Sequence, residues 1–262
     1  CMANYFIRYV SDCKKYNTFC NINVSIERKV YVERPQWQDS KKTLGDVTIV
    51  QDRSRGIETF RDAHQVNFAD QYPGGTVPSS SPDIVQEELM FLMYPELFVV
   101  QLLVSKIEEN ESIIVRGLTR VNNYTGYQST FQFGGNFVDD GDISHPKTNT
   151  VLFMDALVRG VKTETNLLRE LNKAWNTFST DTQGQSIATG NWGCGAFGGK
   201  LRLKALIQMM AAAQADRTLI YTTFNKDRLI ELPKFYLYLK ENKVTVGTLY
   251  RFLKKRVPFG PD

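Results

Sequence analysis

The stretch Thr189–Lys200, TGNWGCGAFGGK, restricts the possible folds more than any other part of this sequence. Its five glycines surround a Trp, a Cys and a Phe, and the next residues, LRLKALIQMMAAA, repeat apolar side chains at helical spacing. Glycine lets the backbone turn tightly and approach a ligand closely. The free N–H groups and the positive dipole end of the following helix favour a bound anion. The sequence therefore predicts an anion site formed by this glycine loop.

Several anion-binding motifs contain such a loop. Gly193, Gly195 and Gly198 match the G-x-G-x-x-G of dinucleotide-binding proteins, and Asp216 follows about 20 residues later. Only about 60 residues follow the loop, however, which is too few for the βα units that complete a dinucleotide-binding domain. A nucleoside triphosphate P-loop is excluded because Leu201, and not Ser or Thr, follows the lysine.

A tight turn without any ligand is another interpretation of the same loop. Trp192 and Phe197 argue against it, because aromatic side chains in a glycine-rich turn usually cover or stack on something.

Composition limits the classes of protein. The 262 residues suit one large α/β domain or two small ones. The net charge of +4 helps a polyanionic substrate to approach but is too small to indicate nucleic-acid binding by itself. Cysteines without a CxxC pair and two distant histidines predict no metal site.

The N-terminal residues CMANYFIRYV lack the apolar region of a signal peptide, and no apolar run approaches about 18 residues. We therefore expect an intracellular protein in a reducing compartment. The first residue is Cys1, so the sequence is compatible with a piece of a longer protein.

Strand-like and helix-like segments alternate along the chain, which is typical of a layered α/β fold. We expect a helix near the N-terminus, a pair of strands within 21–33, and a helix at 84–93 after the Gly/Pro/Ser-rich loop 74–83. Further strands are expected at 47–50, 65–69, 111–118, 150–157 and 218–224, and further helices at 166–178 and at the C-terminal end. The residues 139–149 form a polar connection, and no domain boundary is evident.

Two adjacent carboxylates, Glu87 and Glu88, begin the helix after the loop. Neighbouring side chains on a helix point about 100° apart, so these two carboxylates have different roles if they act on a ligand. Acidic residues are also common in the first turn of ordinary helices, where their negative charge interacts favourably with the helix dipole.

Both motifs together resemble the poly(ADP-ribose) glycohydrolase family, a branch of the macrodomain fold. The similarity covers about residues 40–255, with these segments in the family's order: VNFADQY, GGTVPSSSPDIVQEE, YPEL, YTGY, ELNKAW, ATGNWGCGAFGG and RLKALIQMMAAA. The resemblance implies an α/β fold with a macrodomain-like mixed sheet, flanked by helices on both faces and carrying short N-terminal additions. Residues 1–262 then form a single catalytic macrodomain.

The resemblance also implies the ligand, because the anion becomes the diphosphate of ADP-ribose. Amides around Gly195 and Ala196 bind the diphosphate, Phe197 stacks on a ribose, and Ile57 and Glu58 read the adenine. Aromatic side chains wall the adenine and the phosphates. The implied substrate-binding residues are Ile57, Glu58, Asp70, Gly74, Gly75, Gln86, Tyr127, Asn191, Gly195, Ala196, Phe197 and Phe224.

The implied activity is hydrolysis of the ribose–ribose O-glycosidic bonds of poly(ADP-ribose), without a cofactor or a metal. By resemblance, Glu88 is the general acid and then the base, and Glu87 holds ribose hydroxyls. The implied partners are poly(ADP-ribose), ADP-ribose and poly(ADP-ribosyl)ated proteins in the nucleus or cytoplasm, within the DNA damage response. Neither a direct nucleic-acid site nor a membrane is expected. The alternative is a weakly active or inactive macrodomain that binds ADP-ribose.

Four residues depart from the family's pattern. Thr76 replaces the third loop glycine, and its Cβ would crowd a diphosphate. Asp70 replaces an Asn, and a third carboxylate would raise the pKa of its neighbours. Lys200 replaces an Asp, and Thr222 stands where an aromatic residue is frequent. The altered loop favours the ADP-ribose reader, whereas the retained Glu87–Glu88 pair favours the hydrolase.

Overall fold

The computed structural model describes residues 1–16, 23–75, 84–138, 147–180, 185–224 and 226–257. Thr76 and most of the loop 74–83 lie outside these residues, as do residues 139–146 of the polar connection. The strands are β1 (Ser25–Val30), β2 (Val47–Val50), β3 (His64–Asn67), β4 (Glu111–Thr119), β5 (Asn122–Thr125), β6 (Gln132–Asn136), β7 (Thr148–Phe153), β8 (Ile187–Thr189) and β9 (Leu219–Thr222).

Seven of these strands form one mixed sheet with the order β1-β4-β7-β3-β8-β9-β2, and β5 and β6 form a separate hairpin. The strands β7, β3, β8, β9 and β2 run parallel to one another, whereas β1 and β4 are antiparallel to their neighbours. Parallel strands need crossover connections, which place helices on the faces of the sheet.

The helices are α1 (Met2–Tyr16), α2 (Gln86–Met93), α3 (Phe98–Leu103), α4 (Glu164–Phe178), α5 (Leu201–Gln214), α6 (Leu232–Glu241) and α7 (Val246–Lys254). Apolar side chains of α4, α5, α6 and α7 form one core cluster, and those of α2 and α3 form another with β4 and β7. Because both faces of the sheet are covered, the predicted architecture is confirmed.

Local sequence explains the helices α4 and α5. Thr163 caps α4, since its hydroxyl accepts the N–H of Asn166 at 3.1 Å and the Asn166 side chain accepts the N–H of Thr163 at 3.2 Å. The helix α5 is apolar on nearly all sides and is buried for most of its length, as expected for a helix enclosed by other elements.

The predicted pair of strands within 21–33 is wrong. The described residues of this segment hold one strand, β1, which pairs antiparallel with β4 from Ser25 opposite Arg116. The prediction assumed a partner strand nearby in sequence, whereas the main chain of β1 pairs with β4, which lies more than 80 residues away. The predicted helix at 84–93 is confirmed as α2, and the strand at 47–50 as β2.

The parallel strands put their carboxyl ends at one edge of the sheet. In open α/β sheets, ligands bind in the crevice outside this edge. The connections that leave β2, β3, β8 and β9 begin there, and they contain nearly all the residues that the sequence singled out.

Candidate active site

The candidate site residues converge at this edge from four connections. Ile57 and Glu58 follow β2, the segment from Asp70 to Glu88 follows β3, the glycine loop follows β8, and Phe224 follows β9. Tyr127 comes instead from the turn between β5 and β6. Its ring centre lies 5.7 Å from that of Phe224, so the hairpin closes over the end of β9.

Gln86 fixes the start of α2 against β3. Its side-chain oxygen accepts the N–H of Phe68 at 2.8 Å, and its amide nitrogen donates to the carbonyl of Val66 at 2.9 Å. These bonds to the main chain set the position of the carboxylates that follow. A substrate contact of Gln86 stays a prediction.

Glu87 is buried and accepts two main-chain N–H groups. One oxygen accepts from Asp70 at 2.9 Å and the other from Gly74 at 2.7 Å. Burial nevertheless raises the pKa of Glu87 to about 8, because desolvation outweighs the two hydrogen bonds. The nearby carboxylates of Glu88 and Asp70 raise this pKa further, which agrees with the effect expected from Asp70.

Glu88 is also buried, and its Oε2 accepts the N–H of Val85 at 3.1 Å, as in a capping box. The main chain at Gly75 covers its other oxygen, with φ +52°, and a Cβ there would collide with Glu88 Oε1. Gly74 has φ +111°, and a Cβ would collide with the Gln101 side chain. Glycine is thus required at both positions for the loop to close on the carboxylates.

A second group of contacts lies at the end of β2. The hydroxyl of Tyr124 donates to Glu58 Oε1 at 2.7 Å, and burial raises the pKa of Tyr124, so this donor keeps its proton. Ile57 is buried beside it in the 3-10 turn Ile57–Thr59. This corner therefore presents a carboxylate whose position is fixed by Tyr124, and its contact with adenine stays a prediction.

Asn191 and Trp192 anchor the glycine loop. The Asn191 amide donates to the carbonyl of Thr223 at 2.9 Å and accepts the hydroxyl of Tyr221 at 3.2 Å. The buried indole of Trp192 donates to the carbonyl of Met154 at 2.8 Å. Both side chains therefore hold the loop to neighbouring strands, and any ligand contact of Asn191 stays a prediction.

The tip of the glycine loop faces open space. Gly195 and Ala196 are exposed, and a Cβ added at Gly195 or Gly198 would meet no atom within 4 Å. Within the described residues, the amide N–H groups of Gly195, Ala196 and Phe197 have no protein acceptor. N–H groups that are available in this way can donate hydrogen bonds to a bound anion.

A cleft of about 320 Å³ adjoins both regions, and its lining includes Asp70 beside the carboxylates and Phe197 of the glycine loop. A larger cleft of about 490 Å³ lies at the amino ends of β2 and β9, on the opposite edge of the sheet. We place the candidate site beside the 320 Å³ cleft, because its lining residue Asp70 donates its N–H to the buried Glu87 and its lining residue Phe197 belongs to the glycine loop.

Comparisons with known proteins agree with this geometry. Residues 34–231 match the family model described as poly(ADP-ribose) glycohydrolase, macro domain fold. The chain belongs to the poly(ADP-ribose) glycohydrolase family. The matched segment contains every candidate site residue from Ile57 to Phe224.

Curated relatives carry the same family name. The chain is 30% identical to probable poly(ADP-ribose) glycohydrolase 2 of Arabidopsis thaliana, over 88% of this chain and 54% of that protein. It is 32% identical to poly(ADP-ribose) glycohydrolase 1 of Caenorhabditis elegans, over 83% of this chain and 30% of that protein. The chain therefore spans about half, or less, of the length of these glycohydrolase relatives.

Two of the departures from the glycohydrolase pattern have local structural roles. The Asp70 carboxylate accepts the N–H of Tyr72 at 2.9 Å and so stabilises a turn. The buried hydroxyl of Thr222 donates to the carbonyl of Thr189 at 3.1 Å, between β9 and β8. Lys200 stands at the N-cap of α5, and Thr76 lies outside the described residues.

Sequence analysis missed two features of this glycohydrolase-type site. Tyr124 begins the motif YTGY that ends at Tyr127, so its place in the motif could have indicated that it belongs to the site. The buried ion pairs around Asp155, Glu170 and Lys204 had no such signal, because charged residues on a helix usually indicate a solvated face.

No helix in the described ranges is long and apolar enough to span a bilayer. In the same ranges, no three His, Cys, Asp or Glu side chains are grouped so that they could hold a metal ion.

Proposed function

We propose that this chain hydrolyses the ribose–ribose O-glycosidic bonds of poly(ADP-ribose) and releases ADP-ribose. The observation that carries the proposal is the pair of adjacent buried carboxylates, Glu87 and Glu88, at the edge of the sheet where the glycine loop presents available amides. A reader of ADP-ribose needs the loop but has no use for an acid at the scissile bond. Membership of the glycohydrolase family supports the same reaction.

In this proposal, one ADP-ribose unit lies along the carboxyl ends of the parallel strands. Glu58 and Ile57 read the adenine, with Tyr127 and Phe224 as aromatic walls. The amides of Gly195–Phe197 bind the diphosphate, as expected at a loop that leads into a helix. Phe197 stacks on the ribose nearest the carboxylates.

Glu88 acts on the glycosidic bond. Cleavage passes through an oxocarbenium-like state, in which the leaving oxygen takes a proton from Glu88. The resulting carboxylate then removes a proton from the attacking water. The N–H of Val85 holds Oε2 of Glu88 and fixes the orientation of its carboxyl group at the start of α2. Glu87 accepts or donates hydrogen bonds at the ribose hydroxyls and fixes the sugar.

The physiological substrates in this proposal are poly(ADP-ribosyl)ated proteins in the nucleus or the cytoplasm. Recognition is confined to the polymer, so we expect neither a direct nucleic-acid site nor a cofactor. The net charge of +4 helps the polyanion to approach.

An ADP-ribose reader without turnover is the second candidate function. The observation that favours it is the altered sequence of the loop 74–83 that precedes the carboxylates, with Thr76 in place of a glycine. A bulkier loop would let the product-like end bind while preventing the reactive alignment.

Incubation with labelled poly(ADP-ribose) separates the two candidates. Released ADP-ribose is measured for the chain as given and for the double variant Glu87→Gln/Glu88→Gln, and free ADP-ribose binding is measured by calorimetry. The glycohydrolase releases ADP-ribose and the double variant does not. Binding without release indicates the reader, and the absence of both at millimolar ADP-ribose contradicts both candidates.

A further inference from the structure

A buried ion cluster lies beneath the glycine loop and consists of Asp155, Arg169, Glu170, Lys173 and Lys204. Glu170 pairs with Lys204 and, at 2.7 Å, with Arg169. Asp155 pairs with Arg169 and, at 2.7 Å, with Lys173. The five side chains are at most 9% exposed, so water screens their charges weakly.

Lys204 joins this cluster to the loop. Its Nζ lies 3.1 Å from the centre of the Trp192 ring, and a Cβ built at Gly193 would lie 3.4 Å from the same nitrogen. The N–H of Gly199 closes the loop on the carbonyl of Gly193 at 2.9 Å. A Cβ at Gly199 would lie 3.4 Å from Lys204 Cγ, so both ends of the loop pack on this lysine.

The cluster holds one more cation than it holds carboxylates. Arg169, Lys173 and Lys204 are positive, and Asp155 and Glu170 are negative, so its net charge is +1. In the part of the chain that the structure describes, no third carboxylate pairs with these cations. An excess charge in the interior costs free energy unless a counter-charge is nearby.

The pKa shifts agree with this charge count. Burial lowers the pKa of Lys173 to about 8, which leaves it mostly protonated at neutral pH. Burial also lowers the pKa of Lys204, and the carboxylate of Glu170 opposes that shift. The guanidinium of Arg169 stays charged, because Asp155 and Glu170 raise its pKa.

We propose that the net positive charge of the buried ion cluster, carried to the loop by Lys204, stabilises the diphosphate of ADP-ribose in the glycine loop. This inference rests on the proposed function for the position of the diphosphate. Lys204 is then a positioning residue, since it contacts the loop and acts on the ligand through it. The negative diphosphate supplies a counter-charge to the cluster, whose net charge in the protein alone is +1.

Substitution of Lys204 by Met tests the inference. The Lys204→Met variant lowers the net charge of the cluster to zero, and we expect its affinity for ADP-ribose to fall on the order of tenfold. Affinity for adenosine, which has no phosphate, stays unchanged. Both ligands are measured by calorimetry and ligand-observed NMR at 0.1 and 0.5 M NaCl, and the effect persists at high salt because the charge is buried.

A double variant separates charge from packing. Lys204→Met/Glu170→Gln removes one ion pair as a unit and restores a net charge of +1, so it regains ADP-ribose affinity to within about threefold of the unsubstituted chain if charge is the cause. Lys234→Met on the exposed surface of α6 removes the same charge from the whole protein and leaves both affinities unchanged. Thermal unfolding of each variant confirms that it is folded.

Other results overturn the inference. Equal weakening of ADP-ribose and adenosine by Lys204→Met, or a double variant as weak as the single one, assigns Lys204 to packing of the loop alone. Unchanged ADP-ribose affinity in Lys204→Met also excludes the role of charge. If the unsubstituted chain binds no ADP-ribose, the proposed function fails and this inference fails with it, whereas the other outcomes leave the proposed function standing.

Discussion

Two buried glutamates, Glu87 and Glu170, differ in what holds them. Glu170 lies between Arg169 and Lys204, so its negative charge is matched by cations. Glu87 is held by the N–H groups of Asp70 and Gly74, and in the described residues no lysine or arginine pairs with it. Burial consequently raises the pKa of Glu87 to about 8. Glu170, which is paired with cations, supports the framework, whereas Glu87, which is held by amides, keeps a proton near neutral pH that it can share with a ribose hydroxyl in the proposed function.

Among the carboxylates that main-chain N–H groups hold, we expect the largest effect on the hydrolysis rate from Glu88→Gln. The substitution keeps the size of the side chain and an oxygen for the N–H of Val85, but it removes the titrating proton. General acid–base assistance contributes about 10²–10⁴-fold in rate, so hydrolysis falls by that order. Affinity for ADP-ribose and the melting temperature change little. Release of labelled ADP-ribose, calorimetry and thermal unfolding measure the three quantities.

Asp70→Asn is the matched control for this prediction. Asparagine keeps an oxygen that can accept the N–H of Tyr72, so the turn is preserved and activity is retained. Near-normal hydrolysis in Glu88→Gln, combined with loss of activity in Asp70→Asn, would move the proton transfer to Asp70 and contradict the role of Glu88.

For Glu170, which is paired with cations, we expect a substitution to lower the stability of the fold instead. Glu170→Ala leaves Lys204 and part of the Arg169 guanidinium buried without a counter-charge, which costs about 3–5 kcal/mol of folding free energy. Urea unfolding followed by circular dichroism measures this loss. Glu87→Gln is the comparison variant, because it leaves no buried cation without its partner. If both substitutions destabilise the fold equally, the distinction between the two glutamates is wrong.

The stability of the fold should depend on pH through Glu87. Between about pH 4.5 and pH 8 the folded state keeps the proton of Glu87 while the unfolded state releases it, so stability falls as pH rises. For one such group the slope is at most about 1.4 kcal/mol per pH unit, and it vanishes above pH 8. The difference in unfolding free energy between the unsubstituted chain and Glu87→Gln, measured at several pH values, isolates this group. Parallel pH profiles of the two proteins would contradict a raised pKa.

The sequence predicted those parts of the site that lie within one short segment of the chain. The glycines around Trp192 and the carboxylates after loop 74–83 mark the connections after β8 and β3, and both connections lie at one edge of the sheet. The bond between Tyr124 and Glu58 joins residues 66 positions apart, so it depends on the fold and not on spacing.

The elements that escaped prediction have weak periodic signals. The strand β6 reads QFGGN, in which two glycines interrupt any alternation of apolar side chains, and the β5–β6 hairpin was therefore missed. The partner of β1 lies about 90 residues away, beyond the reach of a hairpin pattern. The buried ion cluster joins Asp155, which follows β7, to charged residues of α4 and α5. The sequence of one helix does not reveal that its charged residues pack against another helix.

We expect the smallest effect from a substitution at Phe197. This residue belongs to the glycine loop above the buried ion cluster, and it lines the same cleft as Asp70, which holds Glu87. Phe197→Ala removes a stacking surface and no proton donor, and its carbonyl still accepts the N–H of Arg159 at 2.8 Å, so the loop keeps its shape. Loss of stacking costs roughly 1–3 kcal/mol, and the same loss should weaken both ADP-ribose affinity and turnover. Calorimetry and the hydrolysis assay on one preparation test whether the two losses are equal. If turnover falls while ADP-ribose affinity is unchanged, Phe197 acts in the reaction together with Glu88 and not in ligand binding.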